Sequence, residues 1–326
     1  MIFCLALTGP TASGKTALSL PLARHFGCEI LSCDSMQVYR GMDIGTAKAT
    51  AEERAAVPHH LLDLCEPTDP FSVQTYRTAA IAAARGTAEH GHIPLFVGGT
   101  GLYIDAVMRG APDEVPESSR GYRDRLLAVV HTEEDADRLW QRLLAVDPES
   151  AALIHKNNLR RVIRALEIYD TTGKPKSYFD KKSRKGNQDL RVRMLTLDIH
   201  DRETLYRRCD QRVDEMVRCG LFDEVRSLAA RGALDGKNTA SQAIGYKEVL
   251  SCLAGDASEA EAIDAIRLAT RRYAKRQLTW FRHEADAVRI FLDTEDGKEK
   301  PRETLLGELT AATEKILAEE SVHGRG

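Results

Sequence analysis

The N-terminal sequence MIFCLALTGPTASGKTALSLPLARHF, residues 1–26, joins an apolar run to a helical pattern through a glycine-rich loop. Ile2–Leu7 is short and apolar enough for a buried strand, and Lys15–Phe26 has the spacing of a helix. Between them Gly9–Thr16 matches G-x-x-x-x-G-K-[ST], the pattern of a phosphate-binding loop. A chance match on a glycine-rich turn is the alternative, but the strand-loop-helix setting favours the phosphate loop.

The chemistry of this loop suits a diphosphate together with a metal ion. Its glycines let backbone N–H groups turn inward around phosphate oxygens, and the following helix adds the positive end of its dipole. Lys15 can reach the outer phosphate, while the Thr16 hydroxyl can ligate Mg²⁺. We therefore expect a Mg²⁺-dependent enzyme that holds a diphosphate here.

The rest of the chain predicts an α/β fold interrupted by a helical insertion. Short apolar runs followed by helical patterns indicate a parallel sheet covered by helices. The charged, helical sequence from Ala111 contains no convincing strand. The predicted class is thus a P-loop NTPase-like parallel sheet flanked by helices, with an inserted all-helical domain. Its parts are a discontinuous core at 1–110 and 190–286, the insertion at 111–189 and an unassigned tail at 287–326. Besides Ile2–Leu7 and Lys15–Phe26, strands are predicted at Glu29–Ser32, Ile93–Val97 and Arg191–Ile199, and helices at Val73–His90, Leu102–Val107, Arg202–Arg218, Leu221–Arg231 and Glu259–His283.

The distribution of charge suggests an acidic partner, although the formal net charge is −3. Lys156 to Arg193 holds twelve Lys/Arg against four Asp/Glu, and Arg267 to His283 holds six against none. One basic stripe is usually a solvated helix face, whereas two unbalanced stripes favour contact with a phosphate backbone. The seven cysteines are scattered without metal-ligand spacing, so we expect them to be reduced and mostly buried. No apolar run reaches membrane length, so we expect a cytoplasmic protein without a membrane partner.

Two further strand ends carry polar residues that could join the loop in one site. Asp34 follows the second predicted strand, where a carboxylate could act as a general base or sit in the magnesium shell, or simply cap a turn. Gln37 adds an amide able to read a base edge. Phe96–Tyr103 contains Gly-Gly-Thr-Gly and places Thr100 where its hydroxyl could face the same crevice, although glycines at such a junction often reflect close packing.

Five segments, GPTASGKT, DSMQVYRGMDIGTAK, GGTGLY, LRRVIRALEIYDTTGKP and SQAIGYKEV, together resemble the bacterial tRNA dimethylallyltransferases. They occur in order over most of the chain. The resemblance implies transfer of a dimethylallyl group from dimethylallyl diphosphate to N6 of adenosine-37, immediately 3′ of the tRNA anticodon. It also implies that the phosphate loop holds the prenyl diphosphate and not a nucleotide.

The resemblance assigns roles to individual residues. Asp34 is the implied base for the N6 proton, Thr100 touches the substrate, and Arg208 clamps the diphosphate, with Arg212 excluded from that role. The implied diphosphate site is Gly9, Thr11, Ala12, Ser13, Gly14, Lys15 and Thr16, with Thr16 toward the metal. The implied tRNA contacts are Asp34, Ser35, Met36, Gln37, Thr100, Arg123, Asn158, Leu159, Arg160, Arg161, Val162, Ser241, Gly245, Tyr246, Arg271 and Lys275.

Three other functions use parts of the same sequence. A small-molecule P-loop kinase would use the loop to bind ATP. An adenylate isopentenyltransferase would perform the same chemistry on a free nucleotide without an RNA-binding surface. A non-catalytic RNA-binding module would not need Lys15 and Thr16, which are both intact. Over these three alternatives we predict prenyl transfer to the anticodon stem-loop of tRNA. We expect the chain to act as a monomer.

Overall fold

A computed structural model describes residues 1–110, 120–183 and 189–323. The chain divides into two compact units, one formed by Met1–Val107 with Asp189–Gly326 and the other by Met108–Gln188. Residues 113–117, an acidic segment of the predicted insertion, lie outside the described residues. Among the described helices, none is both long enough and apolar enough to cross a membrane.

The first unit is built on a parallel sheet in the order β3-β2-β4-β1-β5-β6. A parallel sheet needs a crossover between successive strands, and helices supply it here. Both faces are therefore covered, and β1 is buried along most of its length. The strands are β1 (Ile2–Thr8), β2 (Cys28–Ser32), β3 (His59–His60), β4 (Ile93–Gly98), β5 (Leu190–Asp198) and β6 (Val288–Phe291).

Helices make up most of the remaining described structure. In chain order they are α1 (Lys15–Phe26), α2 (Ala51–Ala56), α3 (Val73–Glu89), α4 (Gly101–Arg109), α5 (Arg120–Leu127), α6 (Glu133–Val146), α7 (Pro148–Leu153), α8 (Leu159–Thr172), α9 (Lys176–Ser183), α10 (Arg202–Arg218), α11 (Leu221–Ala230), α12 (Tyr246–Leu253), α13 (Glu259–Arg282) and α14 (Arg302–His323), with a short 3₁₀ turn at Ala240–Gln242.

The core of the first unit lies on the sheet beneath α1, α13 and α14. Leu5 and Leu7 of β1 and Leu197 of β5 are fully buried there. Leu22 of α1 and Leu309 of α14 pack into the same cluster. Residues 287–323, which the sequence left unassigned, thus add the edge strand β6 and the helix α14 to this unit.

The second unit has only helices among its described residues, α5 to α9. Its small core brings together Leu143 of α6, Ala151 of α7 and Val162 with Leu166 of α8. The α/β fold with a parallel sheet flanked by helices is confirmed. Five of the seven cysteines are buried and none is in a disulfide, as expected.

Candidate functional site

The three predicted site segments follow three strands that are neighbours in the sheet. β2 pairs with β4 and β4 pairs with β1, so the loops that follow them leave from the same edge. The segments are tied together by backbone bonds. Cys33 donates to the Val97 carbonyl at 2.8 Å, and the Thr100 N–H donates to the Cys33 carbonyl at 3.3 Å. The carboxyl ends of parallel strands are where open α/β folds bind ligands.

The loop Gly9–Thr16 has the backbone of an anion-binding turn. Ala12 and Gly14 have φ angles of 62° and 83°, in the left-handed region that helps to turn N–H groups inward. Lys15 begins α1, and its Nζ donates to the carbonyls of Gly9 at 2.9 Å and Pro10 at 2.6 Å. Burial and, secondarily, the charge of Arg212 lower the pKa of Lys15 to about 7. Lys15 is therefore hydrogen-bonded to carbonyl groups of its own loop.

One oxygen of the Asp34 carboxylate accepts a hydrogen bond in a turn, and the other accepts none from a described residue. Its Oδ1 accepts the Met36 N–H at 2.9 Å, which is the turn that we considered as the alternative to a catalytic role. Its Oδ2 has no hydrogen-bond partner among the described residues. Burial lowers the pKa of Lys15 and that of Arg212, and the Asp34 carboxylate partly offsets this lowering, so its charge acts inside the same crevice. Forming the turn therefore leaves one oxygen of this carboxylate available.

The two arginines of α10 differ in their partners. A Cβ atom on Gly14 would lie 3.4 Å from Nη2 of Arg208, so Arg208 lies beside the loop. Its Nη1 is 3.3 Å from Glu299, however, and this ion pair offsets its charge. Arg212 has no ion pair within the part of the chain that the structure describes. Desolvation lowers its pKa, and its charge acts on Lys15. Arg212, which we excluded from clamping the diphosphate, is therefore a second candidate for that role beside Arg208.

Thr100 contacts the Asp34 segment from the neighbouring strand end. Its Oγ1 accepts the Ser35 N–H at 3.0 Å and lies 3.4 Å from the Ser35 hydroxyl. The Tyr273 phenol of α13 lies beside Thr100, and burial raises the pKa of that phenol to about 12. A Cβ on Gly98 would overlap the Cys33 carbonyl. Close packing thus explains this glycine, while Thr100 lies at the crevice.

The Gln37 amide is engaged by the protein at both ends. Its Oε1 accepts the Ser32 hydroxyl at 2.8 Å, and its Nε2 donates to the carbonyls of Thr46 at 3.1 Å and Ala47 at 3.3 Å. An amide in this state cannot read a base edge through its N–H groups without giving up these bonds. In this structure Gln37 braces the segment that follows Asp34, contrary to the base-reading role that we assigned to it.

Glu224 of α11 connects the segment that follows Asp34 to Tyr246, one of the predicted tRNA contacts. Glu224 of α11 accepts the backbone N–H groups of Asp43, Ile44 and Gly45 at 2.7 to 3.1 Å. It also accepts the Tyr246 hydroxyl at 2.5 Å. Tyr246 is fully buried, and a methyl group on Gly45 would overlap its ring. Glu224 was not among the predicted residues, and only its tertiary contacts identify it.

The buried residues of the SQAIGYKEV segment cannot contact tRNA in this structure, so three predicted contacts are wrong. Ser241 is buried and hydrogen-bonded to Asn238, Gly245 donates to Glu248, and Tyr246 bonds Glu224. The side chains of this segment that are exposed are Gln242 and Lys247.

In the second unit, the start of α8 exposes part of the predicted contact set. Arg160 and Arg161 are exposed, and neither forms an ion pair with a described residue. Asn158 is exposed and caps the helix by accepting the Arg161 N–H at 3.4 Å, while Leu159 and Arg123 are half-buried. Val162 is fully buried in the helical core, so its predicted tRNA contact is wrong.

Much of the positive charge that looked unbalanced in the sequence is paired in the structure. On α13, Arg267 pairs with Asp214 at 2.5 Å and Arg271 pairs with Asp210 at 2.7 Å, both on α10. Arg282 pairs with the buried Asp198 at 2.7 Å. Three exposed cations of α13 form no ion pair with a described residue, namely Arg272, Lys275 and Arg276. Arg271 is thus less available to a phosphate than we predicted, whereas Lys275 is accessible.

Comparisons with known proteins agree on one family. The IPP transferase family model matches residues 37–284, and the isopentenyl transferase model matches residues 3–63. A tRNA dimethylallyltransferase of Geobacillus thermodenitrificans is 49% identical over 280 residues, covering 86% of this chain and 87% of that protein. One from Thermoanaerobacter sp. is 45% identical over 277 residues, covering 85% and 87%.

Solved structures show the same similarity. The full-length tRNA isopentenylpyrophosphate transferase of Bacillus halodurans superposes with a TM-score of 0.73 at 40% identity, with both chains fully covered. A eukaryotic dimethylallyltransferase acting on tRNA also gives a TM-score of 0.73, at 29% identity, covering 89% of this chain and 74% of that one.

Proposed function

Because this chain belongs to the IPP transferase family, we propose that it transfers a dimethylallyl group from dimethylallyl diphosphate to N6 of adenosine-37 in tRNA. The products are N6-isopentenyladenosine and diphosphate. One observation carries the proposal beyond the family match. The diphosphate loop after β1, the Asp34 carboxylate after β2 and the Thr100 hydroxyl after β4 share one edge of the sheet, on three adjacent strands.

The chemistry requires what this crevice offers. An adenine amine is a poor nucleophile because its lone pair is delocalised into the ring, so it needs an electrophilic carbon and loss of a proton as the bond forms. As the amine attacks C1 of the allylic diphosphate, the C–O bond to the diphosphate breaks. Lys15 and Arg212 are positioned to neutralise charge on the leaving group, and the free Oδ2 of Asp34 to take the proton. Since a stacked adenine is inaccessible, the base must be everted into the crevice.

A magnesium ion fits this site as part of a complex with the diphosphate. The Thr16 side chain is exposed on the first turn of α1, and its hydroxyl makes no hydrogen bond to any described residue. The described residues contain no cluster of three or more His, Cys, Asp or Glu side chains suited to a metal. Mg²⁺ bound through one protein oxygen, phosphate oxygens and water needs no such cluster. When bound, the ion would neutralise negative charge on the diphosphate.

The remaining parts of the proposal concern partners and location. Exposed cations on α8 and α13 give a phosphate backbone two places to bind. We propose that the anticodon stem-loop contacts these cations, and that the protein acts as a monomer in the cytoplasm.

The decisive experiment is transfer of label from dimethylallyl diphosphate into unmodified tRNA. We expect label in the RNA, dependence on Mg²⁺, and no incorporation into a matched tRNA with guanosine at position 37. Parallel reactions with AMP as acceptor and with ATP as donor test the two other enzymes that share this loop. Label in AMP but not in tRNA would identify an adenylate isopentenyltransferase. ATP consumption without prenyl transfer would identify a kinase.

A further inference from the structure

Gln277 of α13 contacts two of the site segments at once. Its Oε1 accepts the Thr11 N–H in the diphosphate loop at 2.7 Å, and its Nε2 donates to the Gly99 carbonyl, next to Thr100, at 2.7 Å. The side chain is buried, with 6% of its surface exposed. One amide therefore bridges the loop after β1 and the turn after β4.

The bridge forms part of a close contact between α13 and the Gly99–Gly101 turn. A Cβ on Gly99 would overlap the Gln277 amide, and one on Gly101 would lie 2.6 Å from the Trp280 ring. Tyr273, one helical turn before Gln277, lies beside both Gln277 and Thr100. This face of α13 therefore fits a turn that has glycine on both sides of Thr100.

The Thr11 N–H has consequences for ligand binding, because a phosphate loop acts through its backbone N–H groups. Since Gln277 occupies this donor, the N–H groups left for a diphosphate are those later in the loop. Thr11 can then contribute to the predicted diphosphate site only through its side chain, unless the bridge opens. The orientation of the amide is fixed, because only its oxygen can accept from an N–H and only its nitrogen can donate to a carbonyl.

We propose that Gln277 is a positioning residue, whose bridge sets the separation between the diphosphate loop and the Asp34–Thr100 side of the crevice. This inference rests on the proposed function, because it concerns the alignment of the allylic carbon with the attacking amine. Glutamine suits the position since it supplies one donor and one acceptor at the required reach. Methionine has a similar length and supplies no donor, and an ionised glutamate can only accept.

The test compares Gln277→Met and Gln277→Glu with the wild-type protein. Misalignment of reacting groups can cost about 10²-fold in rate. We expect Gln277→Met to lower kcat about 10- to 100-fold. The Kd for tRNA and that for an unreactive thio-analogue of dimethylallyl diphosphate should change by less than about threefold, which is well below the change in kcat. The control is the same pair of substitutions at Gln211, which is exposed on α10.

The Gln277→Glu variant gives a readout that a purely structural role would not produce. When protonated, the introduced carboxyl group can donate to the Gly99 carbonyl and still accept from Thr11, whereas its ionised form is repelled by that carbonyl. Burial favours the neutral acid and raises its pKa. The ratio of variant to wild-type kcat should therefore fall as the pH rises. Tyr273 lies beside Gln277, with Asp34 and Arg276 near that phenol, and Lys15 lies in the same loop as Thr11. Dividing by the wild-type kcat at each pH removes the pH dependence that both proteins share.

The outcomes separate this inference from the function on which it rests. If the wild-type protein transfers label and both variants match it per folded molecule, the inference is overturned and the proposed function stands. Lower thermal stability with normal kcat, or a flat activity ratio across pH, would also overturn it. A wild-type protein that transfers no label would remove the proposed function and this inference together.

Discussion

The Asp34 carboxylate has one oxygen committed to a turn and one without a partner among the described residues. These roles are compatible, because the bond from Met36 holds the side chain while Oδ2 remains free to accept a proton. The turn and the base, which the sequence presented as alternatives, therefore coexist in one side chain. What supports the base is its surroundings, since the Asp34 charge acts on both Lys15 and Arg212.

Asp34→Asn separates the two roles. The Asn carbonyl can still accept the Met36 N–H, so the turn should survive, but an amide cannot take the N6 proton. Loss of a general base typically costs about 10² to 10⁴ in rate. We expect a loss of that size in single-turnover transfer, with little change in tRNA affinity or thermal stability. A destabilised variant with normal turnover in its folded fraction would show that Asp34 only forms the turn.

The second prediction at this scale distinguishes Arg212 from Arg208. Arg212 has no ion pair among the described residues and acts on Lys15, whereas Arg208 is paired with Glu299. Removing a group that stabilises transition-state charge typically costs about 10² to 10³ in kcat. We expect Arg212→Ala to lose that much and Arg208→Ala to lose less than about tenfold. Single-turnover rates for both variants test this assignment. A greater loss at Arg208 would restore the original one.

The sequence identified some site residues and missed others for a definable reason. Lys15, Asp34 and Thr100 follow predicted strands, so their shared edge could be predicted from chain order and the rules of parallel sheets. Arg212, Glu224 and Gln277 lie on helices far along the chain, and nothing in their local sequence indicates their partners. Gln277, for example, is 266 residues from Thr11.

At the scale of elements, the segment after Asp34 is held in place by α11 and α12. Glu224 gathers three backbone N–H groups of that segment and the Tyr246 hydroxyl, so the chain from Asp43 to Gly45 has few alternatives. Lys48 adds a second anchor, since its buried Nζ donates to Asp43 and Asp63 at 2.6 Å. Glu224 and Lys48 together hold the segment that follows Asp34 against Tyr246, one of the residues that we assigned to tRNA.

Gly45→Ala tests the packing of this segment against Tyr246. The added methyl group would overlap the Tyr246 ring, which is buried and cannot move freely. Overpacking of this kind typically costs about 1 to 3 kcal/mol. We expect that loss in the free energy of unfolding, measured by denaturant titration, and a lower transfer rate. The matched control is Gly86→Ala in α3, where a methyl group meets nothing within 4 Å. In a helix this control should be neutral or stabilising by about 0.5 to 1 kcal/mol. Equal effects at both sites would show that the contact between Gly45 and Tyr246 does not hold this segment in place.

Elements with a strong periodic pattern were predicted close to their observed bounds, and short or irregular ones were not. Lys15–Phe26 and Arg202–Arg218 match their helices, and β1, β2, β4 and β5 differ from the predictions by one or two residues. β3 has two residues and β6 has four, which is too short for a periodic signal. α14 was missed, although its Leu309 packs into the core.

At the scale of the whole molecule, charge is the property that sequence counting described least well. Arg191 and Arg193 of β5 pair with Glu319 and Glu320 of α14, more than 120 residues away along the chain. Lys156 pairs with Asp137, and Lys181 with Glu149, in the second unit. A local count assigns these cations to a free surface, whereas tertiary pairs remove much of their charge. On α8 and α13, five exposed cations form no ion pair with a described residue: Arg160, Arg161, Arg272, Lys275 and Arg276.

These five cations set the expected salt dependence of tRNA binding. Each phosphate contact releases counterions and contributes about 0.7 to 0.9 to the slope of log Kobs against log salt. Five contacts would give a slope of about −3.5 to −4.5, and eighteen, the number that sequence counting suggests, would give a far steeper one. We expect the shallower value in binding isotherms at several salt concentrations. Arg272→Gln should reduce the slope by about 1. Arg267→Gln, on the same helix, should leave it unchanged, because Arg267 is already paired with Asp214 and Asp264. A slope near zero, or equal changes from the two substitutions, would show that pairing in the free protein does not select the residues that bind RNA.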